Sequence, residues 1–400
     1  MNIIPEKLKP SILSGKALFD KRLELIDPDI PGWEEIKDDL QDFYSSTILT
    51  KGPLLKQFEQ NLKEYIGAKN VVCLSNCTSG LMLTFKLLGI EGEVILPSFT
   101  FISTGTALLW QNNIKPVFVD IEPDTFNIDP DRIIDAITPE TSAIVVVNIF
   151  GNPCNIDRLT DIASKYNLKL IFDSAHAMGS KYKGIPAGNS GDAECFSCSP
   201  TKILITGEGG FVSTNNDQLA YNLNIGREYG NPGNYDSILP GINARMSEFH
   251  ALLGLHGLKN LDSIVAKRNN NAAYIISRLS ELPGLCFQKV DKENISTYKD
   301  LSFTIEKDFE LNRDQLATVL NNDNIATRFY FYPPLHCQTN FKNYKNEYDN
   351  LLPVTNKVAE SIITIPLSSK FIPETLDKLC FAIENAYKFR GDIIDKLERY

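Results

Sequence analysis

No stretch of this 400-residue chain is long and apolar enough to span a bilayer; the most apolar one, Ala143 to Phe150, has the length of a β-strand. The N-terminus, MNIIPEKLKPSILSGKALF, lacks the basic-then-apolar pattern of a secretory signal. No basic stripe stands out, and 40 basic against 50 acidic side chains leave a formal charge of −10, which repels a polyanionic duplex. A G-x-G-x-x-G following a strand and a P-loop lysine are both missing, the nearest string being TGEGGF. These absences argue against membrane, nucleic acid, NAD and ATP, and predict a soluble cytoplasmic protein. Histidine clusters are lacking too, so the eight cysteines read as reduced thiols buried as small apolar groups. Cys73 with Cys77 and Cys195 with Cys198 have spacings that structural zinc uses, but each pair falls at the end of a predicted strand. No metal is assigned, and a zinc-dependent binding module stays as an outsider.

What is present is globular: 43% hydrophobic and 22% charged residues, with no repeat and no low-complexity tract. The length predicts one large domain and a smaller one. From residue 71, strand-like runs (VVCLSN, EVILP, KPVFVDI, AIVVVNIF, LKLIFDS) alternate with helix-like ones (CTSGLMLTFKLLG, ISTGTALLWQNN, Pro130 to Ile137, Asp157 to Tyr166). That rhythm predicts an α/β fold with a mostly parallel central sheet between helices. After Ser174, GDAECFSCS and GGFVSTNN read as two strands without a crossover helix, hence a local antiparallel element. Ala244 to Leu282 reads as one long bridging helix, with Leu252, Leu255, Leu258 and Leu261 at helical intervals. The turn LPGL then sets the expected boundary: residues 1–283 form a large domain with an N-terminal arm, and residues 284–400 a smaller C-terminal α+β domain.

The chemistry concentrates in two strings, FDSAHAMGS and CFSCSPTKILITGEGG. The first puts Asp173 and His176 just past the carboxyl end of a buried strand, where open α/β sheets place ligands. The second holds a lone lysine, Lys202, among apolar and small residues, where burial lowers its pKa and makes the amine nucleophilic. A nucleophilic lysine can form a Schiff base, and a strand-end carboxylate can keep a pyridine nitrogen protonated, as pyridoxal phosphate requires. A third string, NCTSGLMLTF, offers Asn76, Thr78 and Ser79 where a helix starts, a place for a phosphate. Each residue also has a plain structural reading: Asp173 as a helix cap, Lys202 snorkelling to the surface, Thr78 or Ser79 as an N-cap.

Together these strings resemble the DegT/DnrJ/EryC1/StrS family of pyridoxal-phosphate-dependent sugar aminotransferases, of fold type I. The likeness extends over most of the chain, through TKGPLLKQFEQNLKEYIG, LSNCTSGL, VILPSFTFISTGTAL, PVFVDIEPDTFNID, NIFGNPCNID, DSAHAMGS, FSCSPTKILITGEGG, GINARMSEFHALLGL and TRFYFYPPLHCQTNF in the family's order. It implies pyridoxal 5'-phosphate bound to Lys202, Asp173 on its ring nitrogen, His176 and Phe101 on the two ring faces, and Thr78, Ser79 and Ser197 around the phosphate. It also implies that Asn243 reaches the phosphate of a partner subunit, making a homodimer with shared sites. Asn148 stands where relatives commonly have His, and Cys77 where a smaller residue is common. The related sugar dehydratases replace the lysine with histidine, so Lys202 favours transamination over elimination.

The implied reaction moves an amino group, from glutamate, to a keto group of a nucleotide-linked sugar. Arg227, Arg245, Arg328, Tyr332 and His336 are candidates for meeting the sugar diphosphate, with surface pairing and domain packing as the alternative for each. Two further readings stay open: an aminotransferase for a non-nucleotide cyclic ketone, and a non-catalytic cofactor-binding regulator.

Overall fold

Runs of buried β-branched residues become strands, and the amphipathic runs between them become covering helices. The computed structural model describes residues 9–398. A single turn, α1 (Ser11–Ser14), precedes α2 (Trp33–Ser46) and α3 (Pro53–Ile66). The sheet then builds through β1 (Asn70–Leu74), α4 (Cys77–Leu87), β2 (Gly92–Pro97), α5 (Ile102–Leu109), β3 (Ile114–Val119), α6 (Pro130–Ala136), β4 (Thr141–Val147), α7 (Ile156–Tyr166) and β5 (Lys169–Asp173). A two-stranded ribbon, β6 (Lys181–Tyr182) with β7 (Ile185–Pro186), comes before β8 (Ala193–Ser197) and β9 (Gly210–Thr214), and α8 (Asp217–Gly226) and α9 (Glu248–Leu279) follow.

The central sheet has the order β1-β9-β8-β5-β4-β2-β3. Neighbours from β8 to β3 pair in parallel, while β9 runs antiparallel to both β8 and β1. Side chains alternate across a strand, and both faces are apolar here. Val94, Leu96, Ala143 and Val145 point into one core with α4 and α5, and Ile95, Ile144 and Val146 point into another with α7. A third core joins α3 to α9 under Phe196 and Phe211.

The long helix starts later than its sequence pattern suggests. Ala244 spends its N–H on Arg227 and its carbonyl on Ser75, which keeps it extended, and the helix begins only after Ser247, whose side chain accepts the His250 N–H. Beyond it, β10 (Leu285–Phe287), β11 (Leu301–Ile305) and β12 (Ile362–Ile365) form an antiparallel sheet in that order. α10 (Arg313–Asn322), α11 (Lys342–Tyr348), α12 (Pro353–Ser361), α13 (Pro373–Lys388) and α14 (Arg390–Leu397) complete this part. Its core takes in Phe303, Leu316, Leu379 and Ile383, and side chains from the N-terminal arm, among them Leu18, Phe19 and Leu23, pack against it. Among the described residues no helix is long and apolar enough to cross a membrane.

One buried carboxylate ties α3 to α9. Glu248 is 1% exposed and accepts the N–H groups of Gly52, Leu54 and Leu55 at 2.9, 2.8 and 3.1 Å, satisfying the free donors at the start of α3. Glu248→Ala strands these donors, so the unfolding free energy should fall by roughly 2–4 kcal/mol. A urea midpoint equal to that of the unsubstituted protein, at equal slope, would contradict this account.

Candidate active site

Asp173 is the last residue of β5, so the sheet carries its carboxylate to the edge where the strands end. It is 3% exposed. Thr104 Oγ1, from α5, donates to one oxygen at 2.7 Å; the Ala175 N–H and the Cys77 thiol reach the other at 3.1 and 3.9 Å. Burial raises the Asp173 pKa, and these donors together with the Lys202 charge pull against that rise.

Lys202 follows β8 in a tight turn, its N–H bonded to the Ser199 carbonyl at 3.0 Å. The pKa of its amine is lowered to about 8, first by burial and then by the Lys299 charge, with Asp300, Asp173 and Cys77 opposing. At that value about a tenth of the amine is unprotonated at neutral pH, far more than for an ordinary lysine, and that is the nucleophilic form. The Lys299 side chain is 8% exposed and holds both oxygens of Asp300 at 2.8 and 2.9 Å, with its ammonium 5.3 Å from the centre of the Tyr330 ring.

His176 is buried, and its Nδ1 accepts the Phe150 N–H at 3.2 Å, which places the neutral ring's proton on Nε2. Burial, followed by the charges of Lys202 and Lys299, holds its pKa well below the usual imidazole value. Its ring is nearly parallel to those of Phe150 and Phe331, at centroid distances of 6.3 and 6.2 Å. Phe101, 52% exposed, meets Phe331 edge-on at 6.4 Å. The backbone behind His176 is packed to its limit. Gly151, at φ +87°, has no room for a Cβ, which would sit 1.8 Å from Thr297 Oγ1 and 2.8 Å from the His176 carbonyl.

At the start of α4, Asn76 caps the helix by accepting the Ser79 N–H at 2.8 Å and the Ser79 hydroxyl at 2.7 Å. Ser79 is therefore a buried capping partner, while Thr78 is partly exposed. Ser197 lies across on β8, next to Ser199 at 3.4 Å. β9 passes so near that a Cβ on Gly210 would come within 2.6 Å of the Cys77 N. Asn243 is exposed in a bridge opposite Glu228.

Two proposed substrate contacts are placed elsewhere. Arg227 is buried against Glu59 and the Cys73 carbonyl, both at 2.6 Å, so its guanidinium locks β1 to α3 and α8. His336 is wholly buried, with Nδ1 at 2.7 Å from Ser98 Oγ. For both, packing contacts are what the geometry describes, although Arg227 Nε and His336 Nε2 are buried without a hydrogen-bond partner. Arg245 faces Glu228 at 3.5 Å and the Tyr229 ring, Arg328 is exposed beside Thr364, and Tyr332 lies under Arg313. The two departures are accommodated: Asn148 bonds Ser174 Oγ and the Cys154 N–H, both at 3.0 Å, and Cys77 lies against Asp173.

Several neighbours carry no local signal. Thr104 reads as an ordinary helical threonine, and Phe331 and Tyr330 lie in the string TRFYFYPPLHCQTNF without a local feature that singles them out. Lys299 and Asp300 read as a surface charge pair ahead of a strand. With Arg268 and residues 25–29 of the arm, Lys299, Asp300 and Tyr330 line the cleft over Lys202.

The donor set suits pyridoxal phosphate: an amine of lowered pKa for its aldehyde, a buried carboxylate for its ring nitrogen, flat rings for its faces, and a helix start with hydroxyls for its phosphate. The profile of the DegT/DnrJ/EryC1/StrS aminotransferase family matches residues 32–384. The chain is 33% identical to a dTDP-4-amino-4,6-dideoxy-D-glucose transaminase of Shigella dysenteriae, over 91% of this chain and 99% of that one. It is 30% identical to the spore coat polysaccharide biosynthesis protein SpsC of Bacillus subtilis, over 93% and 99%. Among solved structures it resembles DesI in the presence of its TDP-sugar product, with TM-score 0.89 and 31% identity over 98% of this chain and 99% of that one.

The lowered amine pKa makes a direct prediction. In cofactor-free protein, reductive alkylation of Lys202 by a small aldehyde should rise with a midpoint near pH 8, below that of the exposed lysines, because deprotonation there comes first. Peptide mapping that finds Lys202 labelled in step with the surface lysines would remove the argument.

Proposed function

This chain belongs to the DegT/DnrJ/EryC1/StrS aminotransferase family, and we propose that it transfers an amino group to the keto carbon of a nucleotide-linked deoxy sugar, with Lys202 carrying the cofactor. The cofactor of the family is pyridoxal 5'-phosphate, which when bound supplies an aldehyde that exchanges amines and a protonated ring that draws electrons from the substrate carbon. The observation that carries the reading is the Lys202 amine, lowered to about 8, in the same electrostatic neighbourhood as the buried Asp173 carboxylate.

In this reading the Lys202 Nζ, once free, takes the proton from the substrate carbon and later returns one. Asp173 holds a proton at the ring nitrogen; Thr104, Ala175 and Cys77 keep its carboxylate aimed. His176 and Phe101 flank the ring. Thr78, Ser79 and Ser197 receive the phosphate, and Asn243 does so from a second copy of the chain in a homodimer. The exposure of Asn243 and Phe101 supports that sharing. Arg245, Arg328 and Tyr332 remain candidates for the sugar diphosphate. Glutamate is the proposed donor. The free cysteines suit a reducing cytoplasm.

Several relatives act on nucleotide-linked sugars by name, including dTDP-3-amino-3,6-dideoxy-alpha-D-galactopyranose transaminase of Aneurinibacillus thermoaerophilus, which supports the substrate class. With glutamate as donor, 2-oxoglutarate beyond about one equivalent per active site should form only when a nucleotide-linked keto sugar is supplied, and turnover of free cyclic ketones alone would replace this reading. Lys202→Ala should abolish turnover together with the imine absorbance, and unchanged turnover would refute the lysine assignment. Asp173→Asn should retain cofactor yet lose about a hundredfold or more in kcat.

A further inference from the structure

A second group of chemically capable side chains lies outside the Lys202 cleft. The turn Leu335–Cys337 and the residue ending α11 bring His336, Cys337 and Asp349 together, with one ligand atom from each within 4.8 Å of the others. His336 is 0% exposed, and one atom, Ser98 Oγ, meets both its backbone N–H at 3.0 Å and its Nδ1 at 2.7 Å. A hydroxyl oxygen has two lone pairs and can accept both. With the ring proton on Nδ1, Nε2 presents a bare lone pair.

That Nε2 is buried without a hydrogen-bond partner and faces Asp349 Oδ1 at 3.6 Å. Cys337 Sγ stands 3.8 Å from the same oxygen. The other carboxylate oxygen is held by Lys345, which leaves Oδ1 turned toward the histidine and the cysteine. In that tautomer two lone pairs face each other and repel, and a buried nitrogen without a partner is costly. A cation between them removes both penalties.

We infer that His336 Nε2, Cys337 Sγ and Asp349 Oδ1 form a site for a divalent ion of the zinc class. In a tetrahedral zinc centre, a nitrogen and an oxygen ligand stand about 3.4 Å apart, and a sulfur and an oxygen ligand about 3.6 Å. The separations of 3.6 and 3.8 Å exceed these by a few tenths of an ångström, so the histidine and the cysteine need to close only slightly on the carboxylate oxygen, and all three atoms lie within 4.8 Å of one another. Asp349 is 38% exposed at its side chain, which leaves a fourth position open to water. One thiolate and one carboxylate balance the two positive charges. Ser98 fixes the imidazole from behind, as partners of metal-bound histidines do. The pairs Cys73 with Cys77 and Cys195 with Cys198 take no part. A bound ion ties the turn after the aromatic loop to the end of α11, so it braces the segment that carries Phe331 toward His176.

The test uses the full-length holoenzyme, stripped of metal with a chelator and titrated with Zn²⁺ alone. About one equivalent per chain should bind, and Cys337→Ser and Asp349→Asn should each weaken binding about tenfold or more. Both positions are partly exposed, so these variants keep the fold, and circular dichroism checks that. With Co²⁺ in place of zinc, the unsubstituted protein should show a thiolate-to-cobalt absorption band that Cys337→Ser lacks, read as a difference with cofactor present in both. No stoichiometric binding, or equal affinity in the unsubstituted protein and both variants, overturns the site. These readouts do not depend on turnover, so they stand apart from the proposed reaction.

Discussion

A carboxylate taken out of water at the end of a buried strand is the constraint on which this architecture turns. Asp173 stays tolerable there because donors from three directions reach it, and each donor fixes an element: Thr104 fixes α5, Cys77 the start of α4, and Ala175 the chain leaving β5. The Lys202 amine then finds itself among charges of both signs. Asp173 and Asp300 favour its ammonium form, and Lys299 joins burial in opposing it, with the balance falling on the neutral side of an ordinary lysine. Loosening any of these elements would return water to the carboxylate and raise the pKa of the amine toward that of an ordinary lysine.

Much of the scaffold was legible in the sequence because its signals are local. Strand runs such as AIVVV are apolar at every position, since both faces of the sheet are covered, and RDQLATVLNN is bounded by its own capping residue, Asn312. The missing crossover helix before GGFVSTNN correctly implied an antiparallel partner for β8. The start of the long helix was not legible, because what holds Ala244 extended is a pair of bonds to Arg227 and Ser75, far away in the chain.

The site divides the same way. Lys202, Asp173 and His176 sit in strings whose neighbours disclose a strand end or a glycine-rich turn, and the structure gathers them into one electrostatic neighbourhood. Arginine and histidine candidates were harder to judge, because composition cannot tell a guanidinium waiting for a phosphate from one already ion-paired. Arg227 was answered by Glu59, more than 160 positions earlier. Thr104, Lys299 and Phe331 escaped notice for the converse reason: each acts on a residue it meets only after folding.

The wall behind His176 has a consequence of its own. At Gly151 three distant stretches of chain converge with no space even for a methyl group. Evolution cannot enlarge the chamber from that side without breaking the convergence. Diversification of what the protein accepts must therefore proceed through the opposite rim, lined by residues 25–29 and the loop bearing Tyr330.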